Sequence, residues 1–423
     1  MDWQVTHHLN YWGATKLAYP DVPKEHPRFA KCMVVGNLVF VSGCTGRDPA
    51  SDAPAPGSAA EQVNIALDLA RAALETAGTS MQNIIKTFFL VTSLDDYGEV
   101  RKTETEYYES HAPMLVEKPP AATLMVVSAL ARPEFKLEYE VIAVIDREAP
   151  DWGVTYYPEF WAGRELAFPH VPREHAKFAR TQVAGNLVIV SGCQALDHDS
   201  VRVETSDVAE QSEIVLHKIK IGMEETGGDL ASVAKTNVFV KDAKALKIYR
   251  NVERAYFEIH SPEAAARPPA STDFIVAELP RPEFLIEVEA FGVIDKGAPG
   301  FAYAHQAGTE MAAASVTAGN LVFLSGCDGA DAGAEDIAAE VTAALEKVRA
   351  ALEGAGSAMD KIVKLEVMLK AGEDYRAARN AEFDYYQSHA PGLLAHPPAS
   401  MFMVLPVISG SGARYQIDVT AVL

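Results

Sequence analysis

The chain has 423 residues, with 37 Lys and Arg against 58 Asp and Glu and a formal charge of −21. Its composition, 48% hydrophobic and 22% charged, is that of a globular protein large enough for several domains. The acidic excess argues against a nucleic-acid partner, because phosphate binding relies on clustered Lys and Arg; no apolar run approaches the roughly 18 residues of a membrane helix; and 4 cysteines with no CxxC pair make no disulfide scaffold. The stretch after Met1 is neither basic nor apolar, so a cytoplasmic location is expected.

In chain order, Leu38–Ser42 follows a Gly36-Asn37 turn and reads as a buried strand. Gln62–Thr76 sets Val63, Ala66, Leu67, Ala70 and Leu74 on one helical face, and Gly78 follows as a stop signal. Ile84–Thr92 is β-branched and aromatic, a strand. Ser93-Leu94-Asp95-Asp96 resembles a capping start for a helix that runs to about Ser110. Thr123–Ala129 and Lys136–Ile145 read as further strands. The order is β-β-α-β-α-β-β, an α+β unit with two helices on one face of a sheet.

The same phrases then return. Gly36 to Cys44 (GNLVFVSGC) recurs as Gly185 to Cys193 and as Gly319 to Cys327, and Arg132-Pro133-Glu134-Phe135 recurs as Arg281 to Phe284. Residues 1–148, 149–297 and 298–423 are therefore expected to be three tandem units, the third lacking a counterpart of the Trp12 and Trp161 region. Each sheet has one face without helices, and two more copies could cover it. The expected assembly is an intramolecular pseudo-trimer folded from one chain.

These elements resemble the Rid (YjgF-like) superfamily, through GNLVFVSG, a Gln-initiated helix ending in Ala-Gly, a Val/Ile-x-Lys-Thr strand, a Pro-Pro-Ala segment and a terminal Glu-x-Glu strand. The resemblance implies a chorismate-mutase-like α+β fold, trimeric, with clefts between neighbouring units. It further implies hydrolysis of reactive imines and enamines to a ketone and ammonia, with no metal or cofactor. An endoribonuclease role, ascribed to some members, fits poorly with the acidic charge. The chain departs from the deaminating members at the residue after Pro-Ala: where they carry a carboxylate-clamping Arg, this chain has Ala122, Ser271 and Ser400.

Several residues are candidates for the site. Carried over from the family, Glu138 and Glu287 would handle a proton; the third copy has Gln416, which cannot act as a general base, so a site built on it is expected to be altered or inactive. Cys44, Cys193 and Cys327 end the Ser-Gly strand in every copy, either as nucleophiles and ligand contacts or as small buried hydrophobes. Arg101, Arg250 and Arg379 stand where the family has an Asn, and could be a relocated anion clamp or ordinary helix-surface charges. Phe29 and Phe178 align with the family's early Tyr and could stack on a planar substrate. No third ligand joins His7-His8, so no metal site is expected. Two readings stand: a cofactor-free hydrolase or deaminase acting on a small imine, enamine or amide-type metabolite, and a non-catalytic small-molecule-binding or scaffold protein of the same fold. Further association of pseudo-trimers is left open.

Overall fold

The computed structural model describes residues 3–8, 29–48, 57–157, 178–196, 202, 203, 205–309, 311–330, 333, 336–409 and 411–423. The Trp12 and Trp161 region lies outside them.

In unit one, strands β1 (Val5–His8), β2 (Cys32–Val35) and β3 (Leu38–Thr45) form an antiparallel meander. β2 and β3 are joined by two residues, with Gly36 at φ 60°. Glycine in the first central position is what a type II′ hairpin turn requires. Asn37 then exchanges hydrogen bonds with the backbone of Asp146 at 2.8 and 2.9 Å, and Asn186 does the same with Asp295, so the Gly-Asn pair both turns the chain and clasps the end of the last strand.

Helix α1 (Ala59–Thr76) starts before Gln62, because Ser58 caps it and Glu61 completes a capping box. β4 (Ile84–Val91) follows. Ser93 accepts from the Asp95 N–H in a single 3-10 turn, and helix α2 begins only at Tyr97, running to His111. A short α3 (Met114–Glu117) precedes β5 (Ala121–Val126) and β6 (Leu137–Val144). The sheet order is β1-β2-β3-β6-β4-β5, with β4 and β5 parallel.

Unit two repeats this as β7 (Val154–Tyr157), β8 (Thr181–Ala184), β9 (Leu187–Gln194), α4 (Val208–Glu225), β10 (Val233–Val240), α5 (Ala243–His260), α6 (Pro262–Ala266), β11 (Ala270–Ile275) and β12 (Ile286–Val293). Unit three comprises β13 (Tyr303–Gln306), β14 (Ser315–Ala318), β15 (Leu321–Leu324), β16 (Cys327–Asp328), α7 (Ile337–Gly354), β17 (Ile362–Leu369), α8 (Tyr375–His389), α9 (Gly392–Ala395), β18 (Ala399–Val404), β19 (Val407–Ile408) and β20 (Tyr415–Val422). The chain thus folds into three tandem α+β units, each adding to the expected order an edge strand: β1, β7 and β13. Those strands are half exposed, so their sequences carry weak apolar alternation.

Helices cover one face of each sheet, and the other faces meet around a common axis. There they form one apolar cluster, including Phe40, Phe291 and Phe323, and a second, including Phe88, Phe239 and Met368. Between them lies a layer of buried lysines and carboxylates. Each buried Phe or Leu contributes about 2–3 kcal/mol through area removed from water, so the axial clusters hold the three units together strongly.

Candidate active clefts between repeats

The units are stapled in a closed cycle by the serine of the Ser-Gly-Cys phrase. Ser42 donates to the Ala30 carbonyl at 2.6 Å and accepts the Ser400 N–H of unit three at 2.9 Å. Ser191 accepts from Ala122 of unit one at 2.9 Å, and Ser325 from Ser271 of unit two at 2.8 Å. The Pro-Pro-Ala segments support the same joints: Ala30, Ala179 and Ala313 donate to the carbonyls of Pro398, Pro120 and Pro269 at 2.9–3.0 Å. These joints mark three candidate clefts: the first between units one and two, the second between two and three, the third between three and one.

Into the third cleft comes Glu138 of β6, 5% exposed, whose Oε1 accepts the Phe402 N–H at 3.3 Å. Burial pushes its carboxyl up to about 8, against the pull of the Phe402 hydrogen bond and Arg379. Glu287 occupies the first cleft at 1% exposure. Among the described residues neither of its oxygens receives a hydrogen bond of good geometry, although Gln194 lies close enough to moderate a shift that burial still drives up to about 8. A Cβ on Gly43 or Gly192 would sit 1.8 or 1.9 Å from these carboxylates, so the glycine of the Ser-Gly phrase makes room for them. In the second cleft Gln416 takes this place beside Gly326.

The neighbouring unit supplies the arginine helix. Arg101, Arg250 and Arg379 are each ion-paired one turn on, with Glu104, Glu253 and Glu382, at 2.6, 2.6 and 2.7 Å. A phenol fixes each of those carboxylates, and each comes from a different position: Tyr108, Tyr249 and Tyr415. Arg379 reaches Ser400 Oγ at 3.4 Å, and Arg250 reaches Ser271 Oγ at 2.6 Å. The guanidinium therefore lies beside the residue that follows Pro-Ala. Arg250 also pairs with Asp273, whose counterparts are Leu124 and Phe402. Tyr97 and Tyr375 stand one turn before Arg101 and Arg379, with Leu246 in the corresponding place in unit two. Burial raises the Tyr97 phenol, and Arg101, Glu287 and Arg281 all act on it electrostatically, which puts residues of two units around the first cleft.

Not every sequence candidate meets the others. Cys44, Cys193 and Cys327 point into the helix-covered cores of their own units, and each thiol donates to a carbonyl two residues back. Burial pushes Cys193 and Cys327 up to about 12 and Cys44 well above its ordinary value, the reverse of what a thiolate nucleophile needs. Phe29 and Phe178 are half buried, each preceding the alanine that bonds a neighbour's proline carbonyl. Sequence reasoning missed Tyr97, Tyr375 and the Glu partners of the arginines. The signal was an Arg-x-x-Glu spacing in every copy, with Tyr four residues before the Arg in two. Among the described residues no group of His, Cys, Asp and Glu is arranged to hold a metal ion, and no helix is long and apolar enough to cross a membrane.

The model of a family described as endoribonuclease L-PSP matches residues 21–145, 169–294 and 306–423. The chain is 30% identical over 27% of its length to 79% of a rat 2-iminobutanoate/2-iminopropanoate deaminase, and 28% identical over 29% to 89% of a RutC family protein of Pyrococcus abyssi. Among solved structures it is similar to the YjgF gene product of E. coli, with 27% identity over 33% of this chain and 99% of that one, at a TM-score of 0.28.

Proposed function

We propose that this chain, which belongs in each of its three thirds to the endoribonuclease L-PSP family, is a hydrolase that deaminates a small C=N metabolite at two of its three clefts. The observation that carries this reading is the pair of buried carboxyls, Glu138 and Glu287, each held at a unit boundary opposite an arginine helix. A group shifted to about 8 is mostly protonated at neutral pH and can act as an acid first and a base second. In the proposed cycle the carboxyl gives its proton to the imine nitrogen, and water attacks the carbon of the resulting iminium. A proton of that water returns to the carboxylate. The carbinolamine then expels ammonia, its hydroxyl proton leaving with the nitrogen, to give the ketone.

Arg101 and Arg379 are proposed as substrate contacts, and Phe29 and Phe178 as flanking rings; the cysteines are proposed as packing groups. The names of the relatives support the deaminase class. The experiment is ammonia release from freshly generated imino acids, enamines and cyclic imides, comparing wild type with Glu138→Gln/Glu287→Gln. Release by wild type and loss in the double variant supports the assignment; equal release by both refutes the role of the carboxyls.

A second reading, ligand binding without chemistry, is favoured by the second cleft. There Arg250 is held by two carboxylates and a serine, and Gln416 replaces the acid. Silence across the substrate panel, with ligand-dependent stabilisation of the fold, would favour it.

A further inference from the structure

The axis carries a second arrangement of charge, separate from the clefts. Lys86 of unit one pairs with Glu289 of unit two at 2.5 Å, Lys235 of unit two pairs with Asp418 of unit three, and Lys364 of unit three pairs with Glu140 of unit one at 3.0 Å. Every lysine points to the next unit's last strand. These are the lysines of the Lys-Thr phrase, which reads Lys364-Leu365 in unit three, and the second carboxylates of the terminal strands, which alternate away from the cleft. All are buried, Lys86 at 3% and Lys235 at 2% exposure, except Lys364, whose side chain is 12% exposed. Lys235 is saturated by Thr272 Oγ1, the Leu324 carbonyl and Asp418.

The cycle by itself is neutral, but unit three adds Glu366, where unit one has Phe88 and unit two Asn237. Three ammonium groups then face four carboxyls in a layer sealed above and below by apolar clusters. Glu366 pairs with Lys364, while its Oε2, the Oε2 of Glu140 and the Oδ1 of Asn237 receive no donor from any described residue. Glu366 and Asn237 line one cavity of about 20 Å³, whose other walls include Lys235, Lys364, Asp418 and Thr420. A water needs about 10–15 Å³ of such space and polar partners, so the cavity suits one. A surplus buried carboxylate without a counter-ion would be far too costly to keep charged.

We propose that this axial cavity is a proton-binding site, in which one proton shared by Glu140 and Glu366 across Lys364, with one water donating to Glu366 and Asn237, neutralises the layer and locks the three units together. The ligand is a proton because Lys235 and Lys364 in the same wall would repel a metal or ammonium ion. Burial pushes Glu140 up to about 7 and raises Glu366 too; Lys364 opposes both shifts without reversing them. Asp418 and Glu289 add to the repulsion on Glu366. The folded state holds this proton more tightly than the unfolded chain. Its stabilisation is complete below about pH 4, the ordinary carboxylate range, and is lost as pH rises through about 7.

The test is urea unfolding of the full chain from pH 5.5 to 9, with Glu366→Gln made in a Glu138→Gln/Glu287→Gln background so that the cleft carboxyls do not contribute. From pH 5.5 up to about 7 the background protein should lose stability, its unfolding constant rising up to about tenfold more per pH unit than that of the Glu366→Gln protein, and the difference should level off above that. Glu366→Asn, which installs the residue of unit two, should behave alike and serves if the Gln variant does not fold. Equal slopes would overturn the proposal. So would failure of both variants to fold, or a difference that depends on whether Na⁺, K⁺ or NH₄⁺ is the salt cation.

Discussion

The first and second clefts are made from the same phrases: a serine staple, a glycine beside the terminal strand, and an arginine helix. They differ in a few side chains. The first joins Tyr97, Arg101 and Ala122 to the buried acid Glu287; the second has Leu246, Arg250 and Ser271 facing Gln416, with Asp273 closing on the arginine. The third cleft sides with the first, through Tyr375, Arg379 and Glu138. A homotrimer must keep its clefts identical. Here one chain carries all three, and in the second the arginine is held by two carboxylates of its own unit.

This contrast can be broken most forcefully at the acids. Glu138→Gln/Glu287→Gln should lower the rate of ammonia release by about 10²–10⁴-fold, while Gln416→Ala should leave it within about twofold, both read by steady-state kinetics. Stability inverts the ranking of the arginines. Arg250→Ala strands Glu253 and Asp273 and should cost about 3–5 kcal/mol in urea unfolding; Arg101→Ala strands Glu104 alone and should cost less.

Gly43→Ala and Gly192→Ala push a methyl into the carboxyls and should cost about 1–3 kcal/mol, with a larger loss of activity than Gly326→Ala beside Gln416. The pH profile sharpens the same point: if the protonated carboxyl starts the reaction, kcat should fall as pH rises through about 8, and a rise there would make the carboxylate the starting form. The smallest effect is expected from Cys44→Ala, Cys193→Ala and Cys327→Ala, about 1 kcal/mol each and activity within about twofold, because these thiols lie in the cores.

Much of this was legible in the chain before folding. The Gly-Asn turn, the apolar face of α1 and the strands around Lys86 and Glu138 are local: their residues act within one element, so spacing alone reveals them. Repetition of the phrases exposed the triplication, and alternation along β6 separated Glu138 from Glu140. The edge strand β1 was not legible, since a half-exposed strand bearing His7 and His8 shows no burial pattern.

What tertiary structure decided was pairing and burial. A cysteine at the end of a Ser-Gly strand looks the same whether it faces a cleft or a helix; only the fold turns Cys44 inward. Arg250 reads as an anion clamp until Glu253 and Asp273 are both found holding it. Lys86, Lys235 and Lys364 have no partner visible in the sequence, and only the fold brings the next unit's carboxylate to each at the axis. Sequence sets which groups exist and which share a face. The charge a group carries depends on solvent exclusion and on partners far away in the chain, and those exist only once the three units close on one another.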